Sequence, residues 1–207
     1  DDTLIGGLGD DSYWVDSAND VVVEQEDEGT DLVYATTALF VLSENVDNLT
    51  FMGTGPFAGY GNDIANIIRG ADGDDTLRGY GGNDTLYGGL GANFLIGGLG
   101  DDMYVVSSWD DILYEEEDEG YDTVSTAVAA FTLFSNIEAL IYNGSGDFEG
   151  TGNASDNLII GGAGNDILDG GYGAGLLIGG LGDGVYVIDD LLGVIQEHAG
   201  EGQGAVW

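Results

Sequence analysis

A nine-residue unit recurs along this chain. Gly97-Gly98-Leu99-Gly100-Asp101-Asp102-Met103-Tyr104-Val105 and Gly79-Tyr80-Gly81-Gly82-Asn83-Asp84-Thr85-Leu86-Tyr87 both fit G-G-x-G-x-D-x-U-x, with U a large apolar residue. So short a period leaves room for one corner and one three-residue strand per unit. Such units stack, and each touches only its neighbours, as in a solenoid. Glycine at the first, second and fourth positions admits left-handed backbone angles. The chain then turns tightly and its carbonyls point inward. Asp at the sixth position adds a carboxylate to the same corner, and the eighth residue points into the core.

A longer repeat contains the short one. Asn45-Val46-Asp47-Asn48-Leu49 returns as Asn136-Ile137-Glu138-Ala139-Leu140, and Glu28-Gly29-Thr30-Asp31 as Glu119-Gly120-Tyr121-Asp122. A third copy starts at Gly179-Gly180-Leu181-Gly182, closer to its predecessor by one nonapeptide. The chain therefore divides into super-repeats at residues 1–96, 97–178 and 179–207, strung along one continuous solenoid. Each joins a Gly/Asp-rich block to a β-rich segment, which in the first copy runs over about residues 14–52. Asp20-Val21-Val22-Val23-Glu24 and Asp31-Leu32-Val33-Tyr34-Ala35-Thr36 read as strands. No helical period extends over ten residues, and only 133–140 reads as a short helical turn. Asp1-Asp2-Thr3-Leu4-Ile5 matches the last five positions of a nonapeptide, so the chain reads as a piece of a longer array. In the third copy Gly204 stands where the earlier copies have Asp31 and Asp122.

The charge balance narrows the partners. The chain has 39 acidic and 2 basic residues, a formal charge of -37. Nucleic acid is excluded, since its phosphates need Lys and Arg, and anionic membrane surfaces are disfavoured. No run of 18 apolar residues exists, so no membrane insertion by a helix is expected. Hydrophobic residues make up 43%, which argues for a packed core rather than disorder. Charge and core are compatible if cations neutralise the carboxylates. Two of these repel by about 1 kcal/mol at ~4 Å in water, and by more where water is excluded. With no cysteine, disulfides do not hold the fold. Calcium takes roughly 6–8 oxygen ligands at 2.3–2.6 Å, which glycine corners with Asp can supply. Magnesium demands stricter octahedral geometry, and softer metals want Cys or His.

The repeated G-G-x-G-x-D-x-U-x unit resembles the RTX (repeats-in-toxin, haemolysin-type calcium-binding) family of bacterial secreted proteins. The resemblance implies an all-β fold, a right-handed parallel β-roll or β-solenoid in which two nonapeptides make one coil. It also implies several Ca2+ ions between turns, shared by residues 18 apart. Carried over, Asp84 and Asp102 form one pair, and Asn66 with Asp84 a weaker one. Asp75 and Asn93 lie on the opposite side. Asp2 and Asp11 belong to adjacent units, each with its partner expected before the first residue. Gly70, Gly79, Gly88 and Gly97 supply the corner carbonyls. Asn157 and Asp166 open a later block, where Gly175 and Gly184 replace their partners. Those sites are expected to be weak or empty unless carbonyls and Asp183 compensate. The nonapeptides cover about half the chain, and the segments between them resemble linkers of long RTX arrays.

Other features admit plainer readings. Glu24-Gln25-Glu26-Asp27-Glu28 and Glu115-Glu116-Glu117-Asp118-Glu119 read as solvated acidic turns, or as second cation sites or cation-bridged contacts with a neighbouring chain. Tyr13, Tyr104 and Tyr186 end each block at the U position and are expected to fill a wider core. Trp14 and Trp109 are candidates for the surface, and Arg69 and Arg78 for intrachain pairing with carboxylates. His198, the one histidine, has no nucleophile nearby. The aspartates recur with the repeat, which marks structure rather than one active site, so no enzyme activity is expected. The expected function is a calcium-binding structural segment of a larger secreted or cell-surface protein. It would leave the cell unfolded through a one-step type I secretion channel and fold outside, where sites of roughly 10⁻⁴–10⁻³ M affinity fill. Two alternatives stand beside it. One is the repeat unit of a calcium-dependent filament or surface layer, with copies joined through uncapped solenoid ends. The other is the C-terminal RTX part of a secreted enzyme or toxin.

Overall fold

The computed structural model describes residues 1–197, 202 and 204–207. His198 lies outside the described residues. The described residues form β-strands, turns and bends, with no helix. Two compact units are present, Asp1–Tyr114 and Glu115–Trp207. The first holds β1 (Thr3–Ile5), β2 (Ser12–Val15), β3 (Val21–Val23), β4 (Leu32–Ala35), β5 (Leu39–Val41), β6 (Asn48–Phe51), β7 (Ala58–Tyr60), β8 (Ile67–Arg69), β9 (Thr76–Gly81), β10 (Thr85–Tyr87), β11 (Phe94–Leu99), β12 (Met103–Val106) and β13 (Ile112–Tyr114). The second holds β14 (Thr123–Thr126), β15 (Ala130–Thr132), β16 (Ala139–Tyr142), β17 (Glu149–Thr151), β18 (Leu158–Ile160), β19 (Ile167–Asp169), β20 (Leu176–Ile178), β21 (Val185–Val187), β22 (Val194–Gln196) and β23 (Ala205–Val206).

Each unit is a parallel β-solenoid. In the first, the even strands β2 to β12 stack as one sheet and the odd strands β5 to β13 as the other, with β1 pairing β3. In the second, β14 to β22 and β15 to β23 do the same. Between nonapeptides the register advances by 18 residues. Ile68 pairs with Leu86 and Leu86 with Tyr104 on one sheet, and Leu77 with Leu95 on the other. The central residue of each strand points inward, so Ile68, Leu77, Leu86 and Leu95 are fully buried. Burying each such side chain contributes about 1.5–3 kcal/mol.

The β-rich segments build turns of unequal length. Tyr13 pairs with Val33, Val33 with Leu49, and Leu49 with Ile68, advances of 20, 16 and 19 residues. Stacked aromatic pairs fill the corners there: Phe51 with Phe57, ring centroids 4.4 Å apart, and Tyr142 with Phe148, also 4.4 Å. The stretch 133–140 is not a helical turn. Asn136 makes a tight corner at φ 63°, and β16 follows directly. Asn45 takes the same conformation (φ 64°) in the first unit. Each closes its corner by donating from Nδ2 to a carbonyl one turn back, Asn45 to Glu24 at 3.2 Å and Asn136 to Glu115 at 3.0 Å.

Tyr13, Tyr104 and Tyr186 are buried in the core. Trp14 and Trp109 are exposed, and Trp14 stacks on Tyr34 at 4.7 Å. The arginines depart from expectation. Arg69 lies 3.9 Å over the Tyr87 ring and Arg78 4.4 Å over Tyr80, while neither is ion-paired with a carboxylate among the described residues. Arg69 is half-buried and Arg78 exposed, and the aromatic face beside each attracts the guanidinium.

Candidate metal centre

The corners are organised by a ladder of side chain to backbone hydrogen bonds. The Asn66 N–H donates to Asp84 Oδ1 (2.7 Å), and the Asp84 N–H to Asp102 Oδ1 (2.6 Å). On the opposite side Phe57 N–H donates to Asp75 Oδ1 (2.8 Å), Asp75 N–H to Asn93 Oδ1 (3.0 Å) and Asn93 N–H to Asp111 Oδ1 (3.0 Å). In the second unit Phe148 N–H donates to Asp166 Oδ1 at 2.9 Å. One oxygen each of Asp75, Asp84, Asn93, Asp102 and Asp166 thus ties its turn to the one before. These side chains are buried.

The first-position glycine explains where the second oxygen goes. A Cβ at Gly70 would strike Asp75 Oδ2 and come within 2.6 Å of the Gly88 carbonyl oxygen. A Cβ at Gly79 would strike Asp84 Oδ2 and come within 2.8 Å of the Gly97 carbonyl oxygen. These glycines do not adopt the left-handed backbone expected of them, which falls instead at the second and fourth positions, as at Gly98 (φ 101°) and Gly100 (φ 125°). The first position needs glycine for space. Its missing side chain leaves a cradle lined by a carboxylate oxygen from one turn and a carbonyl oxygen from the next. That all-oxygen donor set fits a hard divalent cation such as calcium.

Burial makes these carboxylates costly without a counterion. Asp75 and Asp166 are pushed above the usual aspartate range, chiefly by desolvation and against the pull of their backbone hydrogen bonds. Asp166 Oδ2 is buried with no hydrogen-bond partner among the described residues, as suits a group open to a ligand.

The asparagines at this position are differently engaged. Asn66 Nδ2 donates to the Val46 and Asp47 carbonyls, both at 3.1 Å, while its Oδ1 accepts the Asn62 N–H at 2.8 Å. Asn157 repeats this, with Nδ2 on the Ile137 carbonyl (2.9 Å) and Oδ1 on the Asn153 N–H (2.8 Å). Asn93 Nδ2 donates to Asp111 Oδ1 at 2.8 Å. Asp2 and Asp11 have partners in the following turn: their N–H groups donate to Asp20 Oδ1 (2.8 Å) and Asp31 Oδ1 (2.9 Å). Asp20 also accepts from Asp16 and Ser17 and sits 3.7 Å from the N-terminal ammonium; the hydrogen bond from Asp2 leads the effects that hold its carboxyl below the usual range. At Gly175 a Cβ would come within 2.9 Å of the Asn157 carbonyl oxygen, so an aspartate there would need the backbone to shift. Asp183 is exposed.

Two groups of residues go beyond what the nonapeptide pattern predicts. The fifth position carries a second ladder on the solvent side. Ala92 N–H donates to Asp74 Oδ1 (2.9 Å), Asp101 N–H to Asn83 Oδ1 (3.0 Å) and Asn165 N–H to Asp147 Oδ1 (2.7 Å). The recurrence of Asp or Asn at that position is its signal in the sequence. The other group is the acidic run at residues 24–28, which divides. Glu26 and Asp27 are exposed in a turn, whereas Glu24 is buried, with Tyr13 OH donating to its Oε1. Burial first, then the neighbouring charges of Asp31, Glu28 and Asp11, pushes Glu24 up to about 7. The alternation of Val22 and Glu24 along one strand edge is the sequence sign of that burial.

Comparison with known proteins agrees with this geometry. A family model described as the RTX calcium-binding nonapeptide repeat matches in four copies, at residues 1–22, 57–95, 69–104 and 151–186, together just over half of the chain. A stretch of 74 residues, 36% of the chain, is 43% identical to the endo-1,3-1,4-beta-glycanase ExsH of Rhizobium meliloti (strain 1021). That stretch spans 16% of the length of that protein.

Proposed function

We propose, since this chain belongs to the RTX calcium-binding nonapeptide repeat family, that it is a calcium-dependent structural segment of a larger secreted or cell-surface bacterial protein. The observation that carries the reading is the oxygen-lined cradle, recurring from turn to turn in a chain of formal charge -37. Asp75, Asp84, Asp102 and Asp166 would supply carboxylates, and Gly70, Gly79, Gly88 and Gly97 carbonyls. Asn66, Asn93 and Asn157 serve mainly as turn-to-turn staples, and Asp2 and Asp11 as members of the first corners. Bound calcium supplies the positive charge that offsets carboxylate repulsion between turns. The protein's own part is to hold the oxygens in register through the backbone ladder. At low calcium the chain is self-repelling and fit for export unfolded; at extracellular calcium it coils. Circular dichroism tests this directly. The β signal is expected to rise on calcium addition, and a chain already β-rich in EGTA refutes the reading.

A second reading, as the RTX part of a secreted enzyme, draws on the glycanase relative. Catalysis would then lie elsewhere in the polypeptide. Assaying this 207-residue chain and the full-length product of its reading frame on mixed-linkage β-glucan separates the two; activity in the short chain alone contradicts both readings.

A further inference from the structure

One carboxylate group joins a nonapeptide aspartate, Asp11, to two acidic residues beyond the matched repeats. Asp11, Glu24 and Asp31 each bring a carboxylate oxygen within 4.8 Å of the other two. Acidic groups crowd together often without meaning, but Glu24 is only 4% exposed. Its Oε1 accepts the Tyr13 hydroxyl, while Oε2 is buried and has no hydrogen-bond partner among the described residues. A buried polar atom left so costs about 1–3 kcal/mol, and more when charged. Asp31 Oδ1 accepts the Asp11 N–H at 2.9 Å, which fixes the two turns against each other. Gly6 repeats the cradle, since a Cβ there would strike Asp11 Oδ2 and the Tyr13 hydroxyl. No arginine relieves the charge, because Arg69 and Arg78 are engaged with Tyr87 and Tyr80.

The super-repeat supplies a comparison within the chain. Asp102, Tyr104, Glu115 and Asp122 occupy the same sequence positions in the second copy. In the third copy the tyrosine and glutamate persist as Tyr186 and Glu197, hydrogen-bonded to each other, but Gly184 and Gly204 replace the aspartates. Gly204 keeps its predecessors' place, for a Cβ there would lie 3.3 Å from Glu197 Oε1. The tyrosine–glutamate bond therefore forms without the aspartates. Their carboxylates are not needed to seat the glutamate.

We infer that Asp11, Glu24 and Asp31 form a calcium site of their own, where a nonapeptide block gives way to the β-rich segment. Three carboxylates and no nitrogen or sulfur donor select a hard cation. Tyr13 is a positioning residue that orients Glu24 through its hydroxyl. The site goes beyond the nonapeptide reading, since Glu24 and Asp31 lie outside the matched repeats.

The test counts calcium ions per full chain by native mass spectrometry at saturating calcium, with circular dichroism to verify folding. Glu24→Gln keeps an acceptor for Tyr13, and Asp31→Asn keeps one for the Asp11 N–H. Each variant is expected to bind one ion fewer than the unaltered chain, and the double variant also one fewer, because all three carboxylates share that ion. Wild-type stoichiometry in both single variants overturns the inference and leaves the nonapeptide reading intact, as does a loss of two ions in the double variant. An unaltered chain that binds no calcium overturns both.

Discussion

Asp84 joins the ladder, the cradle and the charge in one side chain. It is 1% exposed, its Oδ1 accepts the Asn66 N–H at 2.7 Å, and its own N–H donates to Asp102 Oδ1 at 2.6 Å. Asp84→Asn keeps the volume and the Oδ1 acceptor and removes one charge. Strands on adjacent turns lie ~4.8 Å apart. At that spacing and an effective dielectric constant of ~20, Asp84 and Asp102 repel by about 3 kcal/mol. Without calcium the substitution relieves that repulsion and is expected to stabilise the fold by on the order of 1–3 kcal/mol, once solvent screening trims the Coulomb figure. With calcium it removes an anionic ligand. A tenfold to hundredfold loss of affinity corresponds to about 1.4–2.8 kcal/mol of destabilisation. The sign therefore reverses with calcium. The assay is a pair of urea melts followed by circular dichroism, one in millimolar calcium and one in EGTA with enough trimethylamine N-oxide to populate the calcium-free fold. Midpoints that move in the same direction in both conditions would refute the assignment of Asp84 as a calcium ligand.

Other perturbations have equally definite outcomes. Gly79→Ala places a Cβ among Asp84 Oδ2 and the Gly97 carbonyl oxygen; calcium affinity measured by titration calorimetry should drop at least tenfold, although Gly79 needs no left-handed backbone. Leu86→Ala empties a fully buried position and should cost about 2–5 kcal/mol in calcium-loaded urea melts. In EGTA the fold should become more stable as pH falls from about 7 towards the unfolded-state value of 4.5 for Glu24. Glu24, Asp31, Asp75 and Asp166 are all raised by burial, so the folded state binds more protons than the unfolded one there and its stability is lost as pH rises. Asp20 works the other way, stabilising at neutral pH and losing its contribution only at lower pH. A calcium-free fold that weakens between pH 7 and 5 contradicts this.

Much of the molecule is legible in the sequence, for a local reason. A glycine corner, a carboxylate and one inward apolar residue are fully specified within nine positions, so the spacing alone places Leu77, Leu86 and Leu95 in the core, where they are buried. The pairing of Asp84 with Asp102 follows from the same period. The β-rich segments resist such counting because their turns of 20, 16 and 19 residues share no period. That is why Asp31, 20 residues on, is not recognisable by the 18-residue period as the next-turn partner of Asp11, whereas Asp20 keeps that period from Asp2. Arg69 departs from the expected carboxylate pairing because strand register sets Tyr87 beside it, and Arg78 because Tyr80 follows two positions on along the same strand.

The repeat by itself determined the stacking, the inward residues and the chemistry of the corners, because each depends on contacts within one unit or one period. Only the tertiary structure decided which glycines serve space rather than backbone angle, and which member of an acidic run is buried. Both depend on what the neighbouring turn brings within reach, and where the turns vary in length no spacing along the chain encodes it.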